Sequence, residues 1–556
     1  VLGLGGCATL DLFGSGGARE LRDGQADAVP DGEPAILVLA FDGVGRAVLY
    51  PQLARGELPE LAQLLGGASE ETPSELPHAY LDDTILSVLP SSTLAAWSSI
   101  FTGATPAAHG VAGNEYFVRE SRRFAAPAPV SVDSVQHVLE TYSDGYVNQL
   151  LAVPTIYERL RERDPGFTAW VSMSQIYRGA DRLLLTDGSV VGDAFAAAIA
   201  SAFVDDEDIT FYAQLDRNAV ENVVIELGRA PAPRMLTVYL PGIDLYAHGA
   251  VAGPDAAVRR YLIEVVDPLM GELRRALQQA HALEDRYVVL VSDHGHTAVV
   301  HDDAHALSTD DGEDDPPAVV RSAGYRLRPF ELEVPDETVF DAVLAYGGAM
   351  AYVYVADRSH CPPRPRERVV IEHDLTQCDW TLPARYEEDI LPMAEAFFRA
   401  SADGLHAPGM RGTLDLVLVR RSTPIGDDAT AFQVYLGDRR TEPVAEHLAA
   451  HPREQYVAVE SRLEDLAVGR RGHHAGDVLL LARNGNQEFA ANRYYFAAPH
   501  RSGHGSPSRA DSEIPLIIAH PVEPSASLRR RARRALGERP SQTDIARLIE
   551  SLLYPE

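Results

Sequence analysis

The sequence predicts an α/β fold: a wound, mostly parallel sheet flanked by helices, with an inserted cap region. Three observations predict it. Continuous apolar runs, which suit strands buried on both faces, recur at Ala35–Phe41, 85–88, 168–171, Met235–Leu240, 287–291 and 514–518. Helical patterns separate them, including 154–160, which opens on a proline, and 255–282, where apolar residues fall at helical spacing. From about 301 the texture changes, beginning with an acidic, proline-containing stretch over 310–317.

These signals divide the chain into four parts. Residues 1–31 are Gly- and Asp-rich and read as a leader and tether. Residues 32–300 are the first part of the core and 301–475 the insertion. The core resumes over 476–556, with a strand near 477–481 and a last helix over 544–553 capped by Thr543. The cluster Arg529-Arg530-Arg531-Ala532-Arg533-Arg534 reads as a solvated helix face.

Composition limits function. The net charge is −32, and all 49 basic residues are arginine. That balance argues against binding a nucleic-acid polymer, which needs a basic surface. A small phosphate ester remains acceptable if metal ions reverse the local field. No run approaches the roughly 18 apolar residues of a membrane span. Leu4-Gly5-Gly6-Cys7 resembles a bacterial lipobox, which would make Cys7 a lipid anchor on an exported protein, periplasmic, outer-membrane or extracellular. Cys361 and Cys378 either pair, closing a loop worth about 3 kcal/mol, or stay as thiols. Oligomeric state is not legible.

Chemistry-bearing residues follow the apolar runs, where open α/β sheets place their sites. Ala35–Phe41 leads to Asp42, and 85–88 leads to Ser91-Ser92-Thr93, with Thr93 opening a helical stretch. A helix N-terminus favours anions, yet a lone threonine there reads equally as a cap. Met235–Leu240 leads to Asp244 and His248, four apart. The run 287–291 leads to Asp293-His294-Gly295-His296, and Gly503-His504-Gly505 precedes the last core strand. Three aspartates, three histidines and a threonine make an oxygen- and nitrogen-rich set suited to a di-zinc hydrolase.

The stretch Pro90-Ser91-Ser92-Thr93 through Thr102-Gly103-Ala104-Thr105-Pro106-Ala107-Ala108-His109-Gly110 to Asn114, with the Asp-x-x-x-His, Ser-Asp-His-Gly and His-Gly-Ser elements in order, resembles the alkaline phosphatase superfamily in its type I phosphodiesterase/nucleotide pyrophosphatase branch. The resemblance covers roughly 32–300 and 476–553. It implies that Asp244, His248 and His504 hold one zinc, and that Asp42, Asp293, His294 and the Thr93 oxygen hold another; manganese or another divalent ion fits the same ligand types. It further implies Thr93 as nucleophile, activated by one ion while the other receives the leaving oxygen, and Asn114 as a phosphate-binding donor. His296 matches no ligand position, and His109 belongs to the structural turn. Tyr116 and Phe117 either floor a substrate pocket or pack.

The segment Val171-Ser172-Met173-Ser174-Gln175-Ile176-Tyr177-Arg178 loosely resembles one in threonine-nucleophile monoesterases, where a lysine and an arginine touch phosphate. Arg178 would fill the arginine role, but Ile176 stands in the lysine place. Phosphodiesterase is therefore the first reading and phosphomonoesterase the alternative. A non-catalytic binding protein that keeps the fold is the alternative of another class. A sulfatase is rejected, because Cys361-Pro362-Pro363-Arg364-Pro365 lacks arginine at the final place of that motif.

Overall fold

The computed structural model describes residues 17–22, 33–67, 74–132, 141–142, 145–200, 208–309, 314–363, 375–496 and 499–555. Cys7 lies outside them, as do residues 310–313 of the acidic stretch 310–317. No helix among the described residues is long and apolar enough to cross a membrane.

Eight strands form the central sheet, in the spatial order Gly17–Glu20, Arg182–Leu185, Ala169–Ser172, Met235–Leu240, Ala35–Phe41, Arg286–Ser292, Leu516–Ala519, Ala79–Asp82. The five strands from Arg182–Leu185 to Arg286–Ser292 run parallel, and antiparallel strands close both edges. All seven residues of Ala35–Phe41 are buried, as expected for a central strand covered by helices on both faces. Register then places the site. Phe41 lies beside both Leu240 and Ser292, so the segments leaving these three strands start side by side.

The opposite end of the sheet is pinned. Arg286, 1 % exposed, donates to the carbonyls of Ala282, Ile36 and Pro233 at 2.6, 2.9 and 2.8 Å. Burial pushes its guanidinium down to about 10. One buried arginine thus satisfies carbonyls that would otherwise be orphaned at the strand starts.

A second sheet of six strands has the order Ala342–Gly347, Met350–Val355, Val478–Ala482, Leu414–Val419, Gln433–Tyr435, Thr441–Pro443. It is antiparallel throughout and packs with the helix Leu391–Asp403 around its own apolar cluster. Here the sequence reading needs correction. The run near 477–481 belongs to this sheet, paired on both sides; apolar composition marks it as buried but not in which sheet.

Three other expectations change. Residues 85–88 are a loop, not a strand. Their backbone donors go to Asp82 Oδ1, from Ile85, and to Gln542 Oε1, from Val88, and Leu86 makes only isolated bridges. Part of the 1–31 tether, Gly17–Glu20, is an edge strand paired with Arg182–Leu185 and fastened by Glu20 to Arg182 at 2.9 Å. The cap before the last helix, Ile545–Leu553, is a box formed by Ser541 and Asp544, with Thr543 inside the turn. Arg529, Arg530, Arg533 and Arg534 do line the exposed face of Ser525–Ala535, whose Leu528 and Ala532 are buried. Cys361 and Cys378 form a disulfide.

Candidate metal centre and active site

The three central strands deliver their ligands by different local devices. Asp42 follows its strand directly. Gly43 then turns with φ of 70°; a Cβ there would lie 2.6 Å from His296 Nε2 and 2.9 Å from Asp244 Oδ1, so only glycine leaves the cluster room. Met235–Leu240 feeds the helix Gly242–Gly249, which puts Asp244 and His248 on one face by their four-residue spacing. Arg286–Ser292 runs straight into Asp293 and His294. His504 comes from outside the central sheet, after the two-residue strand Ser502–Gly503 paired with Thr297–Ala298.

These residues converge. The ligand atoms of Asp42, Asp293 and His294 lie within 4.8 Å of one another, as do those of Asp244, His248 and His504. His294 Nε2 is 3.5 Å from Asp42 Oδ1 and 3.3 Å from Asp293 Oδ2. His248 Nε2 is 3.4 Å from Asp244 Oδ2. Thr93 opens the helix Thr93–Thr102, with its Oγ1 3.3 Å from His294 Nε2.

The histidines are oriented alike. His294 donates through Nδ1 to the carbonyl of Gly295 at 3.1 Å, His248 to Ser502 at 2.9 Å and His504 to Ser91 at 3.0 Å. A carbonyl can only accept, so in each neutral ring the lone pair is on Nε2. This is how proteins fix imidazoles for a metal. The rings of His294 and His504 stack at 3.7 Å.

The electrostatics call for cations. Asp42 Oδ1, Asp244 Oδ1 and Asp293 Oδ2 are buried with no hydrogen-bond partner among the described residues. Burial first, then the neighbouring Asp293 and Asp244, push the Asp42 carboxyl well above its usual range. Burial also raises Asp293. Asp244 resists burial because His248 and His296 hold it low. Burial and the neighbouring His294 drive His504 well below its ordinary value. Bare carboxylate oxygens beside imidazole Nε2 atoms at these separations fit divalent ions that take oxygen and nitrogen ligands.

Asn114 accepts from the Leu94 backbone N–H through Oδ1 at 3.1 Å. That bond fixes the amide and leaves its NH2 as a donor beside Thr93. His109 is fully buried. It accepts from Val111 N–H through Nδ1 and donates through Nε2 to Ser99 Oγ at 3.0 Å. Burial pushes it down to about 3, consistent with a neutral structural residue.

Arg178 is not presented to the cluster. It bonds both Glu158 oxygens at 2.9 and 3.0 Å and the carbonyls of Asn148, Leu151 and Val153 at 2.7, 3.1 and 2.5 Å. Its donors hold a loop together, and none of these bonds goes to a residue of the candidate metal cluster. Tyr116 stacks on His474, and Phe117 packs against Phe340, Tyr354 and Trp380, so both are packing residues.

Two contributors escape a reading of the sequence. Tyr239 donates its hydroxyl to Asp42 Oδ2, but within Met235–Leu240 it reads as core. Gln542 donates to the Asp293 carbonyl at 2.6 Å and accepts from Val88 N–H at 2.9 Å, joining the loop before Thr93 to the segment that carries Asp293 across the length of the chain. His296 joins the cluster, 3.1 Å from Asp244 Oδ1.

No curated protein matches the chain. Among solved structures, murine ectonucleotide pyrophosphatase/phosphodiesterase 5 aligns with a TM-score of 0.47 at 12 % identity, covering 93 % of this chain and 95 % of that one. The family model for type I phosphodiesterase/nucleotide pyrophosphatase matches residues 36–386, well over half the chain. The chain therefore belongs to that family, in the alkaline phosphatase superfamily, and is a metal-dependent hydrolase of phosphoric ester bonds.

Proposed function

We propose that this phosphoesterase is a phosphodiesterase that attacks phosphorus with the Thr93 hydroxyl, using two zinc ions. Asp42, Asp293, His294 and the Thr93 oxygen would hold one ion, and Asp244, His248 and His504 the other. The observation that carries the reading is the shared orientation of His248, His294 and His504, each held at Nδ1 by a carbonyl, in clusters with Asp42, Asp244 and Asp293, each of which keeps one oxygen without a hydrogen-bond partner among the described residues. Bound there, divalent ions would lower the pKa of the threonine hydroxyl and offset charge building on phosphate. Thr93, at its helix N-terminus, attacks in line, giving a phosphothreonine that keeps the second ester group, and a free alcohol that takes up the hydroxyl proton. Water then cleaves that ester and restores the hydroxyl. The Asn114 NH2 donates to an equatorial oxygen throughout, where charge accumulates.

A diester is favoured over a monoester because the monoester's extra negative oxygen needs a cation. Ile176 stands in the lysine place, and Arg178 is spent on Glu158 and three carbonyls. Comparing bis-p-nitrophenyl phosphate with p-nitrophenyl phosphate tests this; faster turnover of the monoester would reverse the assignment. Thr93→Ala is expected to lower kcat on the diester by at least about 10³-fold, and unchanged kcat would remove Thr93 as nucleophile.

Export with an acyl anchor on Cys7 is part of the same proposal. The Cys361–Cys378 disulfide supports it, since such bonds persist in oxidising compartments. Incorporation of labelled palmitate into the full chain, lost in Cys7→Ala, would be the expected result.

A further inference from the structure

A second group of ligand-capable side chains gathers away from the strand ends. Glu120 lies on the turn Arg119–Ser121, which closes the hairpin of Tyr116–Val118 and Arg123–Ala125 just beyond Asn114. His473 and His474 lie on the turn Gly472–Ala475, which leads into Val478–Ala482 of the second sheet. His473 Nε2 is 2.9 Å from Glu120 Oε1. The ligand atoms of all three residues fall within 4.8 Å of one another.

His474 has the orientation seen at the strand-end cluster. It is 5 % exposed, stacks on Tyr116 at 5.1 Å, and donates through Nδ1 to the Gly110 carbonyl at 2.6 Å. The lone pair of the neutral ring is then on Nε2, and that buried atom has no hydrogen-bond partner among the described residues. Glu120 Oε2 is also buried and unpaired. Arg471 approaches Glu120 at Oε1, at 3.3 Å. A carbonyl-held imidazole with a bare inner nitrogen, a second imidazole and a bare carboxylate oxygen form a coordination set rather than a finished hydrogen-bond network.

We infer that Glu120, His473 and His474 bind a divalent ion of zinc type, completed by water and separate from the catalytic cluster. Two imidazoles and one carboxylate select a borderline ion over calcium or magnesium, which prefer all-oxygen cages. The ion ties the hairpin that follows Asn114 to the turn entering the second sheet. Its effect is therefore to steady the Asn114 loop from behind, while Glu120, His473 and His474 take no part in the reaction.

Elemental analysis of the full chain, saturated with zinc and desalted, reads the site. Glu120→Ala and His473→Ala are each expected to carry one zinc fewer per chain than wild type, and the double variant no fewer than either single one. Because the result is a difference, it stands whatever the catalytic cluster holds: Asp42→Asn would lower the baseline and leave the decrement intact. Equal zinc in wild type and in either folded variant overturns the inference. Circular dichroism checks folding, and if one variant misfolds the other still decides.

Discussion

Three buried carboxylates, in two regions, are stabilised in three ways. Asp477, in the second sheet's region, meets Arg119 and accepts from Val355 N–H at 2.9 Å through Oδ2. Asp216, beside the helix that carries Asp244, accepts among the described residues from neutral donors, Gly242 N–H at 3.0 Å and Tyr261 hydroxyl at 3.0 Å. Asp42, at the strand end, takes Tyr239 on one oxygen and leaves the other bare. Burying a charge costs several kcal/mol unless it is paired. The first site meets that cost with a protein cation, the second by holding a proton, and the third would meet it with the divalent ion proposed above. Where a fold leaves buried charge unanswered, the remainder points to function.

Substitution by asparagine separates the three. Asp42→Asn should have the largest effect, lowering kcat/KM on a diester by about 10³-fold or more through weakened ion binding. The chelator-treated variant should nonetheless unfold at a higher temperature than chelator-treated wild type, since a bare carboxylate is gone. A lower melting temperature for the metal-free variant would show that Asp42 is structural.

Asp216→Asn comes next, and its signature is pH. Burial pushes the folded carboxyl up to about 7, against about 3.9 in an unfolded chain. The folded state binds the proton more tightly, so its contribution is complete below about pH 4 and is lost as pH rises through 7. Relative to the asparagine variant, wild type should lose on the order of 4 kcal/mol between pH 4 and 8. Parallel stability curves from urea unfolding would refute this. Asp477→Asn should cost about 3 kcal/mol with no comparable pH slope, because it leaves the Arg119 charge buried and unpaired, while zinc content stays that of wild type.

How far the sequence discloses these roles depends on distance along the chain. Asp244 and His248 were readable because helical spacing alone sets them side by side, and Asp42 and Asp293 because each follows an apolar run. Register did the rest, and no run states its own register: 85–88 looked like a strand until its donors were found on Asp82 and Gln542, and 477–481 looked like core until it paired within the second sheet. Tyr239 was hidden because a tyrosine in an apolar run differs from its neighbours only by a hydroxyl. Gln542 was hidden because its partners Val88 and Asp293 are hundreds of residues away.

Arg178 tests the same lesson with the smallest effect. A sequence shows that a cation is present but not what it faces. Here the guanidinium joins the capping-box residue Glu158 to three carbonyls, in a pair about one-third exposed. Solvent screens the charge, so Arg178→Ala should cost only about 1 kcal/mol of stability, mostly from carbonyls left unpaired. The KM for a diester should stay within about twofold of wild type, because no phosphate contact is lost. A tenfold rise in KM without loss of stability would mean that the side chain leaves Glu158 when substrate arrives, and would return Arg178 to the active site.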